Sequence, residues 1–232
     1  MKINLLALLI IITIFGCVSS SQERVFEVKR SETTIQKLDL SKIFYKESDT
    51  RIPEDTIRKI INKNPRLSLE RKYDDEGNIY KYLYDPDDQN VNSLSLRKRN
   101  FVTEGLFPNF RVKTIDGKEI ELKSLTGKLV ILRFDFFSED PKFKKHEIDE
   151  LDKKINAFGQ QKIQAIIFFG SSIKETINGE DFTGSNFDLV ADANNFFAKY
   201  GITRFPFTVI LDEKGNLLDN FAESDKIDLT NY

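Results

Sequence analysis

Ser138-Glu139-Asp140-Pro141-Lys142 places a hydroxyl, two carboxylates and an ammonium in one short polar break. Before it, Lys128–Phe134 is an apolar run rich in Val, Ile, Leu and Phe, which reads as a buried central strand. After it, a helical pattern begins. Strand, turn and helix N-terminus together offer unpaired N–H groups and a positive dipole end, a setting that favours an anionic ligand group. Acid–base chemistry by Glu139, Asp140 or the neighbouring Asp135 needs a perturbed pKa and a placed partner. The sequence supplies neither, so no catalytic residue is assigned. His146 is the only histidine. It falls off the apolar helix face, and without a second His it makes a poor zinc or copper ligand. No metal and no cofactor is therefore expected. The purely structural alternative is a capped helix start, with Ser138 or Asp140 as the cap.

The elements that must position this turn follow in order. A helix is expected from about Pro141 to Phe158, with Ile148, Leu151, Ile155 and Phe158 on one face and Gly159 as its stop. Ile163–Phe169 reads as the next buried strand, Ser172–Ile177 as a short helix and Phe187–Val190 as a short strand. Asn194–Tyr200 reads as a helix ending at Gly201, and Phe207–Leu211 pairs with Asn216–Leu218 across Asp212-Glu213-Lys214-Gly215. Upstream, Phe110–Thr114 and Glu119–Leu122 flank Ile115-Asp116-Gly117-Lys118, an Asp-Gly hairpin signal. Alternating strands and helices imply a parallel pair, residues 128–134 and 163–169, joined by a right-handed crossover, with the last hairpin antiparallel.

Two segments carry a resemblance. Gly105–Phe134, GLFPNFRVKTIDGKEIELKSLTGKLVILRF, resembles the opening of the redoxin (AhpC/TSA) and TlpA-like branch of the thioredoxin superfamily. Tyr200–Leu218, YGITRFPFTVILDEKGNLL, resembles that branch's closing hairpin, with Pro206 at the position of its cis-proline. The resemblance covers residues 101–232. It implies an α/β fold: a thioredoxin-like central mixed β-sheet flanked by helices. It also implies a cis-proline facing the turn, so that Arg204, Phe205 and Pro206 form a shallow groove with Ser138, Glu139, Asp140, Pro141 and Lys142. The tail Phe221–Tyr232 is short for that family's final helix, so the N-terminal region is expected to cover the corresponding face. The departure is chemical: the family works through one or two cysteines in this turn, and here there are none. An ungapped register sets Glu139 and Lys142 at the two cysteine positions; a slide of two residues sets Pro141 and Lys144 there.

The single cysteine, Cys17, lies elsewhere. Met1-Lys2 is a short basic start and Leu5–Phe15 an apolar stretch too short for a comfortable membrane span. Ile14-Phe15-Gly16-Cys17 resembles a bacterial lipobox, which implies a signal peptide over residues 1–16 and a lipid-modified (palmitate-bearing) Cys17; an uncleaved anchor helix is the alternative. Residues 17–24 then read as a lipidated tether. This places the protein in the bacterial cell envelope, periplasm-facing or at the surface. Val18 after the cysteine, in place of Asp, slightly favours the outer membrane. With Cys17 lipidated, the mature chain has no thiol for disulfide or peroxide chemistry.

Residues 25–100 read as a small α+β extension, beginning with a strand start at Val25–Val28. Ile52–Lys63 is helical, with Pro53, Glu54 and Asp55 in the first turn and Ile57, Ile60 and Ile61 at helical spacing. Leu67–Tyr73 and Ile79–Tyr84 form a hairpin around Asp74-Asp75-Glu76-Gly77-Asn78. The aspartates here and at Asp85-Pro86-Asp87-Asp88 fail the EF-hand spacing and read as solvated turns. Arg97-Lys98-Arg99 reads as a solvated linker. A formal charge of −2 gives no argument for nucleic acid. Three functions stay open: a non-catalytic module binding a protein or peptide in the envelope through a pseudo-active site; an enzyme of the thiol-disulfide or peroxide group acting with a cysteine-bearing partner; and a structural surface lipoprotein.

Overall fold

The computed structural model describes residues 38–65, 67–88, 103–136 and 143–232. Cys17, the Val25–Val28 strand start, Arg97-Lys98-Arg99 and the Ser138–Lys142 turn lie outside the described residues. Three short strands come first: β1 (Ile43–Tyr45), β2 (Glu70–Tyr73) and β3 (Ile79–Tyr84), with helix α1 (Glu54–Lys63) between β1 and β2. β3 is central, parallel to β1 and antiparallel to β2. Glu54 and Asp55 sit in the first turn of α1, where the dipole favours carboxylates. Ile43, Ile52 and Ile57 are fully buried in this region.

A two-stranded hairpin, β4 (Arg111–Lys113) and β5 (Glu119–Glu121), turns at Asp116-Gly117 and leads to the main sheet. That sheet holds β6 (Leu129–Asp135), β7 (Ile163–Phe169), β8 (Phe187–Val190), β9 (Phe207–Leu211) and β10 (Leu217–Phe221) in the order β10-β9-β6-β7-β8. β6 runs parallel to β7 and β7 to β8, while β9 is antiparallel to both β6 and β10. Every residue of β6 and β7 is buried, which is why both read as near-continuous apolar runs.

Three helices cross the sheet. Helix α2 (Lys145–Phe158) joins β6 to β7, α3 (Ile173–Gly179) joins β7 to β8, and α4 (Asn194–Tyr200) joins β8 to β9. Ser172 and Glu175 close a capping box at the start of α3. Gly201 ends α4 in the left-handed region that only glycine enters without a side-chain clash. Alternate strand residues serve opposite faces. Val130, Leu132, Phe134, Phe168 and Val209 pack beneath Phe196, Phe197 and Tyr200 of α4. Ile131, Ala165, Ile167, Phe169 and Ile210 pack beneath Ile148, Leu151 and Ile155 of α2. This is the mixed, helix-flanked sheet that the resemblance implies.

Two expectations change. The α2 face is covered by the chain's own tail rather than by the N-terminal region: Ile227 and Leu229 bury there, and Lys154 Nζ donates to the carbonyls of Asp225 and Ile227, each at 2.7 Å. The N-terminal sheet instead meets the main domain beside α4, through its β2–β3 turn. Helix α2 also starts later than expected, with Lys144 as N-cap in a non-helical conformation and without a capping hydrogen bond from its own side chain; the expected caps, Ser138 and Asp140, lie outside the described residues. Among the described residues no helix is long and apolar enough to cross a membrane.

Candidate functional site

The carboxyl ends of β6 and β7, the start of α4 and the segment before β9 converge at one end of the main sheet. Open α/β sheets bind ligands at such strand ends. Arg204, Phe205 and Pro206 lie in the last of these segments, and the Phe205–Pro206 peptide is cis. Arg204 is exposed, while Phe205 and Pro206 are half-buried. The Phe205 ring packs on Phe197 of α4, at a centroid distance of 4.9 Å, and on Phe136 just beyond β6, at 5.6 Å. Phe136 is 38% exposed. Two aromatic rings and a cation thus border Pro206 on a partly open face. The expected opposite wall, Ser138, Glu139, Asp140, Pro141 and Lys142, lies outside the described residues.

Gly170, just after β7, lets the elements close up. A Cβ there would sit 2.9 Å from Asn194 Oδ1, 3.0 Å from the Phe197 ring and 3.1 Å from the Phe136 carbonyl oxygen. Its N–H donates to the Asp135 carbonyl at 3.1 Å, and Asn194 Nδ2 donates to the Gly170 carbonyl at 2.7 Å. The sequence assigns none of Phe136, Gly170, Asn194 and Phe197 to the site. A signal was present for two of them: Phe136 and Gly170 directly follow the apolar runs that read as strands.

Beneath this end, on the α2 side, lies a buried charge network. Arg133 is fully buried in mid-β6. Its Nε donates to Asp135 Oδ2 at 2.6 Å and its Nη1 to Glu147 Oε2 at 3.1 Å and to Ser224 Oγ. The Ser224 N–H also donates to Glu147 Oε2, at 3.3 Å, and Thr208 of β9 lies 3.1 Å from Ser224 Oγ. Lys144 Nζ reaches Glu147 Oε1 at 2.7 Å. Burial pushes the Glu147 carboxyl up, but hydrogen bonds from Lys144, the Ser224 N–H and Arg133 outweigh it, and the group titrates below the usual glutamate value. Asp135 is therefore a buried structural partner of Arg133 rather than an open acid or base. His146 is exposed on α2. Among the described residues no group of three His, Cys, Asp or Glu side chains is placed to hold a metal ion.

The family comparison covers the β4–β5 hairpin and the main sheet. Residues 103–221, just over half of the chain, match the AhpC/TSA family. The thioredoxin-like protein YneN of Bacillus subtilis is 27% identical over 115 residues, 48% of this chain and 66% of that protein. The thiol-disulfide oxidoreductase ResA of Halalkalibacterium halodurans is 28% identical over 112 residues, 47% of this chain and 62% of that protein. The match thus spans slightly less than two thirds of either relative. Among solved structures, a thiol:disulfide interchange protein from Bacteroides sp. aligns at 22% identity with a TM-score of 0.45, over 54% of this chain and 84% of that one.

Proposed function

Because the chain belongs to the AhpC/TSA family while its one cysteine, Cys17, stands far upstream of the matched residues 103–221, we propose that the domain is a non-catalytic, thioredoxin-like module that binds a protein or peptide partner. The observation that carries the reading is the pairing of a partly open aromatic face at Phe136 and Phe205 with the lack of any thiol in the matched residues. Thiol–disulfide exchange and peroxide reduction through sulfur both need a thiolate. Binding does not. Aromatic rings and arginine are the side chains enriched at interfaces, and Phe136, Phe205 and Arg204 supply both kinds. A partner segment would lay apolar side chains on the two rings and present an acidic group to Arg204. In this reading Ser138, Glu139, Asp140, Pro141 and Lys142 form the opposite wall.

The anchoring belongs to the same proposal. The Ile14-Phe15-Gly16-Cys17 pattern supports lipid attachment at Cys17, with residues 18–24 as tether in the cell envelope. Two or more acyl chains anchor stably, at about 0.8 kcal/mol per buried CH₂. Replacing Cys17 with Ser should move the chain out of the membrane fraction; unchanged membrane association would remove the lipid from the reading.

Two measurements test the module itself. The purified chain without residues 1–17 should show no reduction of a protein disulfide or a hydroperoxide above the protein-free rate. Turnover would overturn the non-catalytic reading. A photo-reactive probe replacing Phe205 should capture one dominant partner in the native membrane, whereas a control probe at exposed Lys153 should not. Equal, diffuse labelling at both positions would mean that this face binds nothing.

A further inference from the structure

Lys199, in the last turn of α4, is an unusual residue for its setting. Its side chain is only 8% exposed, and lysine is rarely buried to that extent. Its Nζ donates to the carbonyls of Asp74 and Asn109, each at 2.6 Å, and stands 4.0 Å from Asp75 Oδ1. Asp74 belongs to the β2–β3 turn of the N-terminal sheet, and Asn109 to the segment entering β4. One ammonium thus joins three separate parts of the chain. Packing alone does not call for it, because α4 is already held by Phe196, Phe197 and Tyr200. A buried ammonium costs free energy unless its donors are used, and here they are spent on holding the turn.

The rest of the turn is built for the same contact. The Arg111 N–H donates to the Asp75 carbonyl at 2.8 Å, and Asn109 Nδ2 donates to Asp75 Oδ2 at 2.7 Å. Arg111 Nη1 reaches Glu76 Oε1 at 2.8 Å. Gly77, at φ +81°, lies flat against Phe196: an added Cβ would sit 3.3 Å from that ring. Helix α4 has two working sides. Phe196 and Lys199 meet the N-terminal turn. Asn194 and Phe197 meet the groove, through the Gly170 carbonyl and the Phe205 ring. Phe196 and Phe197 are neighbours in sequence, and close-packed side chains pass a shift on to their contacts.

We propose that Lys199 is a positioning residue: by clamping the Asp74–Asn78 turn onto α4, it sets where Phe197 and Phe205 stand, and so shapes the partner-binding face. The inference rests on the binding reading above for its function, though not for its geometry. It gives the N-terminal sheet a task as a brace for the groove.

The chain contains no tryptophan, so Phe136→Trp in the full-length protein gives a single tryptophan at the groove, excited at the red edge where the tyrosines do not absorb. In that background Lys199→Met should raise acrylamide quenching of the tryptophan and shift its emission to the red, and Lys199→Arg, which can still donate to both carbonyls, should restore the parent values. Gly77→Ala acts from the turn side and should move the signal in the same direction; it keeps the test open if Lys199→Met does not fold. The inference is overturned if the reporter is unchanged in both variants while hydrogen exchange speeds up only in residues 74–78 and 107–111. The two proposals fail separately. A moved reporter in a chain whose Phe205 probe captures no partner would keep the clamp and remove the binding reading. An unmoved reporter with intact partner capture would do the reverse.

Discussion

The two faces of β6 hold the same sheet end by opposite means. On the α2 side, Arg133 and Asp135 project into a network of charges with Glu147, Ser224 and Thr208. On the α4 side, Phe134 stacks on Phe168 at 5.1 Å and meets Phe197 and Tyr200 edge-on at 6.1 and 6.0 Å. The charged hydrogen bonds depend on protonation, whereas the aromatic contacts do not. The charged side fixes where β6, β9, α2 and the tail meet. The aromatic side continues upward, through Phe197 to Phe205 and Phe136, into the exposed face. The part of the site that reaches solvent is thus an extension of the apolar core, and the charges beneath it are support.

The comparison is broken most strongly at its two centres. Arg133→Leu leaves the Asp135 and Glu147 carboxylates buried without their guanidinium, and removing one member of a buried pair costs about 3–5 kcal/mol. Phe134→Ala empties a buried aromatic site and costs about the same, ~3–5 kcal/mol. Urea unfolding at neutral pH should show both losses. The two should part as pH is lowered: the Phe134→Ala deficit should stay constant, while the Arg133→Leu deficit should shrink once the carboxylates that have lost the guanidinium can protonate. Parallel pH curves for the two variants would show that the charged side has no electrostatic role.

Glu147→Gln sharpens the contrast at a smaller scale. It removes the charge that Lys144, Arg133 and the Ser224 N–H converge on, an expected loss of about 1–3 kcal/mol at neutral pH. The folded carboxyl titrates below its ordinary 4.5. Above about 4.5 both folded and unfolded chains carry the charge, and its stabilisation is fully present. As pH falls below that value the unfolded chain takes up the proton first, and the stabilisation is lost through the folded pKa. The native protein should therefore weaken with acid more steeply than Glu147→Gln. Equal slopes in urea midpoints between pH 7 and 3 would show that another group drives the acid response.

Sequence alone reached the regular elements well and the contacts between them poorly. β9 at Phe207–Leu211 and α4 at Asn194–Tyr200 have the expected bounds, because an apolar run and a glycine stop are local signals. The Asp-Gly turn between β4 and β5 was legible for the same reason. Arg133 interrupts an apolar run but passed unremarked in the sequence, because its partners Glu147 and Ser224 lie 14 and 91 residues away. Lys199 and Asp74 are 125 residues apart, and their contact is to a backbone carbonyl, which leaves no side-chain pattern to read. At the groove, Arg204, Phe205 and Pro206 came from a motif, whereas Phe136 and Gly170 matter through packing around that motif. The tail was misjudged by length: two 3-10 turns, Ser224–Lys226 and Leu229–Asn231, suffice to cover the α2 face because Ile227 and Leu229 bury fully without a helix.

The smallest expected effect on stability falls where the largest effect on binding is expected. Phe136 stands at the outer end of the aromatic series, partly open to solvent, and its ring meets Phe205. Phe136→Ser should change unfolding free energy by less than about 1 kcal/mol, since substitutions outside the packed core seldom do more. If the aromatic side is core that has been extended into a binding face, the same substitution should abolish partner capture by a photo-reactive probe at Phe205, because interface energy concentrates in a few aromatic anchors. Arg133→Leu, studied well below its unfolding midpoint, should leave capture intact, because its network lies on the other face of β6. The reverse pattern, with capture insensitive to Phe136 and lost with Arg133, would place the binding determinants on the α2 side and reassign the roles of the two faces.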